Sequence, residues 1–171
     1  MELATAGDIQ KKINEHIKNH SFFTEGEIWQ AFIQMAKGLR ALHEVNIFHR
    51  DLKCANVFCT TGNIYKLGDL NVSKVAKQGF ARTQTGTPYY TSPEVWMNKS
   101  YNSKCDIWSL GCVVYEMASL HPPFKASNIK ELCSKIQRGI YQRIPIHYSD
   151  ELFSIINACL KVNPNSRPSA K

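Results

Sequence analysis

The chain has 171 residues, of which 43% are hydrophobic and 20% charged, as is usual for one globular domain with a sizeable core. Its 21 Lys and Arg against 14 Asp and Glu give a net charge of +7, which suits acidic partners such as nucleotides or phosphoproteins but is equally typical of a solvated surface. A membrane-embedded protein is excluded, because no apolar run approaches the roughly 18 residues that a membrane-spanning helix needs.

An amphipathic helix is the first element that the sequence predicts. Thr24 and Glu27 stand at the S/T-x-x-E spacing of a capping box, in which two side chains bond the free backbone N–H groups of a helix's first turn. Apolar residues then recur at helical spacing as far as Leu42. We therefore expect a long helix that runs to about Asn46.

Short apolar runs follow this helix at residues 47–48, 57–59 and 64–67. Residues 60–63 separate the last two runs and contain Gly62, a residue typical of tight turns. The pattern predicts small strands, of which the last two form a hairpin.

A long polar connection occupies residues 69–93 and is rich in Gly, Thr, Ser and Gln. Loops of this length in compact domains are often functional. Helical patterning returns after Pro93, with an apolar helix predicted from Ser103 to Ser119 and further helical segments near 127–138 and 149–161.

The cysteines and histidines lack the spacing of disulfide or metal sites. None of the six cysteines forms a C-x-x-C pair, and no charged start leads into an apolar export segment. We therefore expect reduced thiols in an intracellular, cytoplasmic protein. His16, His20 and His43 have no second ligand at metal spacing, so they are expected to pack or to lie on helix surfaces.

Three polar side chains flank the predicted hairpin. Asp51 and Asn56 lie five residues apart in HRDLKCAN ahead of it, and Asp69 follows it in KLGDLN. Because a hairpin brings its two ends together, Asn56 and Asp69 could offer oxygen ligands to one Mg²⁺ ion, with Asp51 nearby as a base. Taken singly, an Asp or Asn in a loop is more often a turn former.

The stretch HRDLKCAN resembles the catalytic-loop pattern H-R-D-L-x-x-x-N of protein kinases. Further kinase-like signatures follow in the family's order: Asp69-Leu70-Asn71 at the D-F-G position, Ser92-Pro93-Glu94 at the A-P-E position, the helix start DIWSLG, and Arg167. The stretches GTPYYTSPE and KLGDLNVSK are similar to those of NIMA-related (Nek) serine/threonine kinases. Leu and Asn in place of Phe and Gly do not exclude catalysis, because Asn readily enters left-handed backbone space.

The resemblance implies a catalytic role for each matched residue. Asp51 would accept or orient the proton of the substrate hydroxyl, and Lys53 would contact ATP and neutralise charge on the transferring phosphoryl group. Asn56 and Asp69 would hold Mg²⁺, with Mn²⁺ as an alternative, at the ATP phosphates. Catalysis would then consist mainly of positioning and electrostatic stabilisation.

A regulatory contact is implied at Arg50, which precedes the catalytic Asp in the family's pattern. It would pair with a phosphorylated residue of the long polar connection, for which Thr83 is the first choice and Thr85 the second. Thr87 would instead contact the catalytic Asp and Lys.

Structural roles are implied for five further residues. His49 and Leu70 would pack in the regulatory core, and Asp106 would hydrogen-bond the backbone of the catalytic loop. Glu94 and Arg167 would form a buried ion pair that ties the polar connection to the later helices.

The implied fold class is the C-terminal lobe of a protein kinase, mainly α-helical with small β-hairpins, an α+β family fold without its N-terminal lobe. Residues 1–171 contain neither a Gly-rich loop nor a strand lysine ahead of the catalytic loop. Residues 1–4 resemble the hinge between lobes, where Glu2 and Ala4 would contact ATP. We therefore expect a partial kinase domain over 1–171 whose final helix is truncated.

The implied function is a Nek-like transfer of the ATP γ-phosphoryl group to Ser or Thr of protein substrates, weak or absent in this fragment alone. One alternative is a pseudokinase-like binding module without turnover. Another is a nucleic-acid binder, which rests on the net charge only and has no supporting motif. The resemblance implies neither a nucleic-acid nor a membrane partner, and related kinases often act at microtubules or in cilia.

Overall fold

The structure is a computed structural model that describes residues 6–70, 88–100 and 102–170. Short 3₁₀ turns at Cys54–Asn56 and Pro164–Ser166 accompany the regular elements. In chain order the regular elements are α1 (Ile9–Lys18), α2 (Glu25–Glu44), β1 (Val57–Thr60), β2 (Ile64–Leu67), α3 (Pro93–Trp96), α4 (Lys104–Ser119), α5 (Ile129–Arg138) and α6 (Asp150–Cys159).

Helix α2 confirms the predicted capping box and the predicted long helix. The hydroxyl of Thr24 accepts from Glu27 N–H, and the Glu27 carboxylate accepts in return from Thr24 N–H at 2.8 Å. One face of the helix is fully buried, with Ile28, Met35 and Leu39 at 0% exposure. The helix is therefore fixed at its start by hydrogen bonds and along its length by apolar packing.

The end of α2 explains why residues 47–48 do not form the strand predicted for them. Asn46 adopts a left-handed φ of 55°, and Ile47 N–H turns back to donate to the Leu42 carbonyl at 2.9 Å. This is the hydrogen bonding of a Schellman helix end, which uses the donor that a strand would need. The prediction of a strand at Ile47–Phe48 was wrong for that reason.

The predicted hairpin is confirmed as the antiparallel pair β1–β2, with Val57 opposite Leu67 and Thr60 opposite Ile64. Gly62 and Asn63 make the turn with φ values of 79° and 57°, in the left-handed region that tight turns require. The backbone of residues 6–8 runs along the outer edge of β1: Cys59 N–H donates to Gly7 O at 2.7 Å and its carbonyl accepts from Ala6.

Helix α1 was not predicted from the sequence. The side chain of Asp8 caps it by accepting from Lys11 N–H at 2.8 Å, and Ile9 and Ile13 are its buried residues. The cap and the spacing of Ile9, Ile13 and Ile17 are signals that sequence analysis could have used.

Helix α4 is the central helix and confirms the apolar helix predicted from 103 to 119. It packs against α2 and α6, and nearly all of its residues are buried. Helices α5 and α6 confirm the segments predicted near 127–138 and 149–161. In the described ranges no helix has both the length and the apolar composition needed to cross a bilayer.

A capping interaction between two helices joins the start of α2 to the start of α6. Ser149 caps α6 by accepting from Leu152 N–H, and the Glu25 carboxylate accepts from both the backbone N–H and the hydroxyl of Ser149. Glu25 thus does for α6 what Glu27 does for its own helix. The hydrogen bonds from Ser149 hold the pKa of Glu25 below its ordinary value.

We predict that Ser149→Ala lowers the free energy of unfolding by about 1–2 kcal/mol, as the loss of an N-cap does. Since the folded pKa of Glu25 is depressed, its contribution is present above the unfolded pKa and is lost as the pH falls through the folded value. Urea unfolding of wild type, Glu25→Gln, Ser149→Ala and the double variant at pH 7 and pH 3 tests this. Additive effects at pH 7 would show that the two side chains are not coupled.

Candidate active site

The segment between α2 and β1 is held in place by one buried carboxylate on α4. Asp106, 1% exposed, accepts from His49 N–H at 3.0 Å and from Arg50 N–H at 2.9 Å. The ring nitrogen Nε2 of His43 lies 2.8 Å from the same carboxylate. A buried carboxylate is costly unless it is paired, and these three contacts supply its partners.

His43 was expected only to pack or to lie on a surface, and its contact with Asp106 was missed. It follows Met35 and Leu39 at helical spacing on the buried face of α2. A polar side chain on such a face needs a partner, and that was the available signal.

Arg50 has a left-handed φ of 65°, which is uncommon for a residue other than glycine. Its guanidinium carbon lies 5.9 Å from the centroid of the Phe48 ring. The backbone hydrogen bond to Asp106 holds this conformation, and Asp51 follows directly after it. Strained backbone of this kind is concentrated at functional sites.

The side chains of Lys53 and Asn56 both contact the carboxylate of Asp51. Lys53 Nζ lies 3.0 Å from Asp51 Oδ2, while Asn56 Nδ2 donates to the Asp51 carbonyl at 2.8 Å and to Oδ2 at 3.2 Å. The Asp51 side chain is 25% exposed. It is therefore oriented by its neighbours and still reachable by a substrate, as a general base must be.

Asp69 directly follows Gly68, the residue that pairs with Asn56 at the open end of the hairpin. Gly68 N–H donates to Asn56 O at 2.9 Å, which extends the pairing of β1 and β2 by one residue. Asp69 follows with a φ of 55° and an exposed side chain.

The residues present at this point fit a hard divalent cation. Because Asn56 donates to Asp51 through Nδ2, its Oδ1 is the atom available as a ligand, and Asp69 offers carboxylate oxygens. The described residues contain no group of three or more His, Cys, Asp or Glu placed to hold a metal ion. A cation here would need oxygen ligands from a bound phosphate as well.

Glu94 and Arg167 form a buried bidentate ion pair. Arg167 Nη1 and Nη2 lie 2.7 and 2.8 Å from the two carboxylate oxygens of Glu94, and the two side chains are 0% and 5% exposed. The guanidinium carbon also lies 5.0 Å from the ring centroid of Trp108 on α4. The pair ties α3 to α4 and to the chain beyond α6.

A third buried acid, after Asp106 and Glu94, was not predicted. Glu116 on α4 is 5% exposed and accepts from the Tyr90 hydroxyl at 2.7 Å, and burial raises the pKa of its carboxyl. Ser109 on the same helix donates to the Tyr90 carbonyl at 2.9 Å. An ionisable residue in an otherwise apolar helix was the signal that could have found it.

The remaining predicted residues are placed as follows. His49 is fully buried, and among the described residues neither of its ring nitrogens has a hydrogen-bond partner. Leu70, expected to fill an apolar slot, is 41% exposed. The predicted nucleotide and regulatory residues that lie outside the described ranges are Glu2, Ala4, Thr83, Thr85 and Thr87.

Residues 1–171 match the protein kinase domain family over their whole length. The chain belongs to that family. Protein kinases as a family use ATP, a divalent metal ion and protein substrates.

The relatives of this kinase domain confirm the predicted similarity to Nek kinases. It is 43% identical over 175 residues to a probable serine/threonine-protein kinase nek3 of Dictyostelium discoideum, covering 99% of the chain and 16% of that protein. It is 42% identical over 172 residues to Nek5 of Homo sapiens, covering 99% and 24%. Identity to Nek2 of Homo sapiens is 40% over 178 residues, covering 100% and 40%.

The chain thus spans less than half the length of each of these relatives. The activity, substrates and partners of the whole protein are therefore proposals.

Proposed function

We propose that the chain forms the C-terminal lobe of a Nek-like kinase domain that transfers the γ-phosphoryl group of ATP to Ser or Thr hydroxyls of proteins. The observation that supports this most directly is the Asp51 carboxylate, oriented by Lys53 and Asn56 within a loop that Asp106 holds. That arrangement provides a fixed, accessible proton acceptor beside the positively charged ammonium group of Lys53.

Each polar side chain then has a definite task. Asp51 accepts or orients the proton of the acceptor hydroxyl, which aims the oxygen at the phosphoryl group. Lys53 places positive charge where negative charge builds up during transfer. Asn56 and Asp69 would hold Mg²⁺, which supplies charge neutralisation at the ATP phosphates when it is bound.

The nucleotide and regulatory roles predicted from the resemblance belong to the same proposal. Glu2 and Ala4 contact ATP, and Arg50 pairs with a phosphate on Thr83 or Thr85. The hydrogen bond to Asp106 holds the left-handed backbone of Arg50, so the Cα position from which the Arg50 side chain extends is fixed. Asp51, Asn56 and Asp69 are all present, and nothing in the described ranges favours a binding module without turnover.

The test is phosphotransfer by the domain completed with the upper lobe of a related Nek kinase ahead of residue 1, since residues 1–171 contain no Gly-rich loop. Peptides with a single Ser, Thr or Tyr acceptor are offered with ATP and Mg²⁺, Mn²⁺ or EDTA. We expect metal-dependent labelling of Ser and Thr peptides. Nucleotide binding without transfer under every metal condition would instead identify a non-catalytic module.

A further inference from the structure

The two outer edges of the hairpin are closed in different ways. Cys59 and Tyr65 are partners in the β1–β2 register, and each turns its backbone N–H away from the other strand. On the β1 side Cys59 bonds the backbone of Gly7 and Ala6, as in an ordinary third strand. On the β2 side no backbone among the described residues takes that place, and the partner is the side chain of Gln34 on α2.

The Gln34 carboxamide pairs with β2 as a strand residue would. Its Oε1 accepts from Tyr65 N–H at 2.9 Å, and its Nε2 donates to the Asn63 carbonyl at 3.1 Å. One carboxamide reaches both groups, so the Asn63 carbonyl and the Tyr65 N–H lie on the same edge of the hairpin. Only a carboxamide carries a donor and an acceptor side by side in one plane, so Asn and Gln are the side chains that fit this task.

The helix that carries Gln34 is itself held closely against β2. Gly38, one turn further along α2, lies where a β-carbon would come within 3.0 Å of Leu67 Cδ1. Met35 and Leu39, which directly follow Gln34 and Gly38, are fully buried. The backbone that carries Gln34 is therefore held in place by packing. The two hydrogen bonds of Gln34 then fix the position of β2 relative to α2.

The hairpin in turn sets the positions of Asn56 and Asp69. Asn56 ends the turn before β1, Asp69 comes two residues after β2, and the Gly68–Asn56 hydrogen bond joins the two ends. A two-stranded hairpin alone is marginally stable, so its geometry depends on what closes its edges. An unpaired β2 edge would let the Asp69 end shift relative to the Asn56 end.

We propose that Gln34 is a positioning residue for phosphotransfer: its carboxamide closes the outer edge of β2 and so fixes the hairpin between Asn56 and Asp69. This inference rests on the proposed kinase function. Gln34 touches no reacting group, so its replacement should weaken use of the metal–nucleotide complex rather than remove the base at Asp51.

The test compares Gln34→Met with Gln30→Met in the domain completed with an upper lobe. Gln30 lies one turn earlier on α2 and is exposed, so it controls for the change of side chain on the same helix. Gln34→Met keeps the side-chain size but leaves Tyr65 N–H and the Asn63 carbonyl without their partner. We expect the Mg²⁺ concentration for half-maximal activity to rise about tenfold, with a smaller change in kcat, and no change in Gln30→Met.

Amide hydrogen exchange gives a readout that does not need activity. In Gln34→Met the Tyr65 amide loses its direct acceptor and the Gly68 amide, three residues away, should also exchange faster, while exchange in α4 stays unchanged. Faster exchange at Tyr65 alone, with wild-type Mg²⁺ dependence, would overturn the proposal. If the wild-type domain transfers no phosphate, the proposed function fails, whereas Gly68 exchange still decides whether Gln34 fixes the hairpin.

A second variant, Gln34→Glu, keeps the proposal testable if Gln34→Met fails to fold. Gln34→Glu keeps an oxygen for Tyr65 N–H but loses the donor to the Asn63 carbonyl. It should therefore fall between wild type and Gln34→Met in both readouts. Wild-type values for both Gly68 exchange and Mg²⁺ dependence in Gln34→Glu would count against the proposal.

Discussion

Replacing Asp51 by Asn is expected to lower kcat for peptide phosphorylation by about 100- to 10,000-fold, the range that a general base contributes. The substitution keeps the size of the side chain and an oxygen for Asn56 Nδ2, which lies 3.2 Å from Oδ2 in wild type. It removes the negative charge that accepts the proton and that Lys53 faces at 3.0 Å. The loop should stay in place, because Asp106 and not Asp51 holds its backbone.

The measurement is steady-state kcat in the domain completed with an upper lobe, together with the dissociation constant for ATP and Mg²⁺. Asp150→Asn is the matched control, because Asp150 is a 91% exposed carboxylate on α6 whose ion-pair partner is Arg143. We expect wild-type turnover in the control and nearly unchanged nucleotide binding in Asp51→Asn. Near-normal turnover in Asp51→Asn would show that the proton goes elsewhere.

The fold was predicted from the sequence where the signal is local. The capping box of Thr24 and Glu27, the apolar spacing of α2 and the Gly-containing turn between β1 and β2 each involve neighbouring residues, so their patterns can be recognised in the chain. The error at Ile47 has a local cause as well. The apolar pair Ile47–Phe48 indicates a strand, although Asn46 just before it is a residue that favours the left-handed end of a helix.

The interactions across long sequence separations could not be predicted in this way. Gln34 and Tyr65 are 31 residues apart, His43 and Asp106 are 63 apart, and their pairing depends on how α2 lies against β2 and α4. A sequence shows that a buried polar side chain needs a partner, but the partner is chosen by packing.

For the candidate site, the family pattern gave the residues and the structure gives their arrangement. The spacing of Asp51, Lys53 and Asn56 was visible in the chain, whereas the role of Asn56 Nδ2 as a donor to Asp51 was not. The left-handed φ value at Arg50 was not predictable from residue type, since Arg rarely adopts one. It arises because a tertiary contact, the Asp106 hydrogen bond, determines the backbone there.

Removing either partner of the Glu94–Arg167 pair is expected to lower the free energy of unfolding by about 3–5 kcal/mol, because the other charge stays buried without its counter-ion. Arg167→Ala should have the larger effect. Besides its two contacts with Glu94, Arg167 donates to the carbonyls of Lys104, Lys161 and Val162 at 2.9, 2.7 and 3.1 Å. A loss of this size is a large part of the stability of an ordinary domain.

The pair should also make stability depend on pH. Burial raises the pKa of Glu94, but the hydrogen bonds and charge of Arg167 outweigh it, so the pKa lies below its ordinary value of 4.5. A carboxylate with a depressed folded pKa stabilises the fold above the unfolded pKa and loses this contribution as the pH falls through the folded value. The wild type should therefore lose this stabilisation below about pH 4.5, whereas Glu94→Gln should lack that part of the pH dependence.

Glu44→Ala is the matched control, because the Arg40–Glu44 pair is 58% and 48% exposed and an exposed pair contributes roughly 0–1 kcal/mol. Urea unfolding at pH 7 followed by circular dichroism compares Glu94→Ala, Arg167→Ala and Glu44→Ala in one series. Equal, small losses in all three would mean that solvent reaches Glu94 and Arg167, since only access to water lowers the cost of an unpaired charge. A large loss confined to Glu94→Ala and Arg167→Ala would mean that the two charges are buried and depend on each other for compensation.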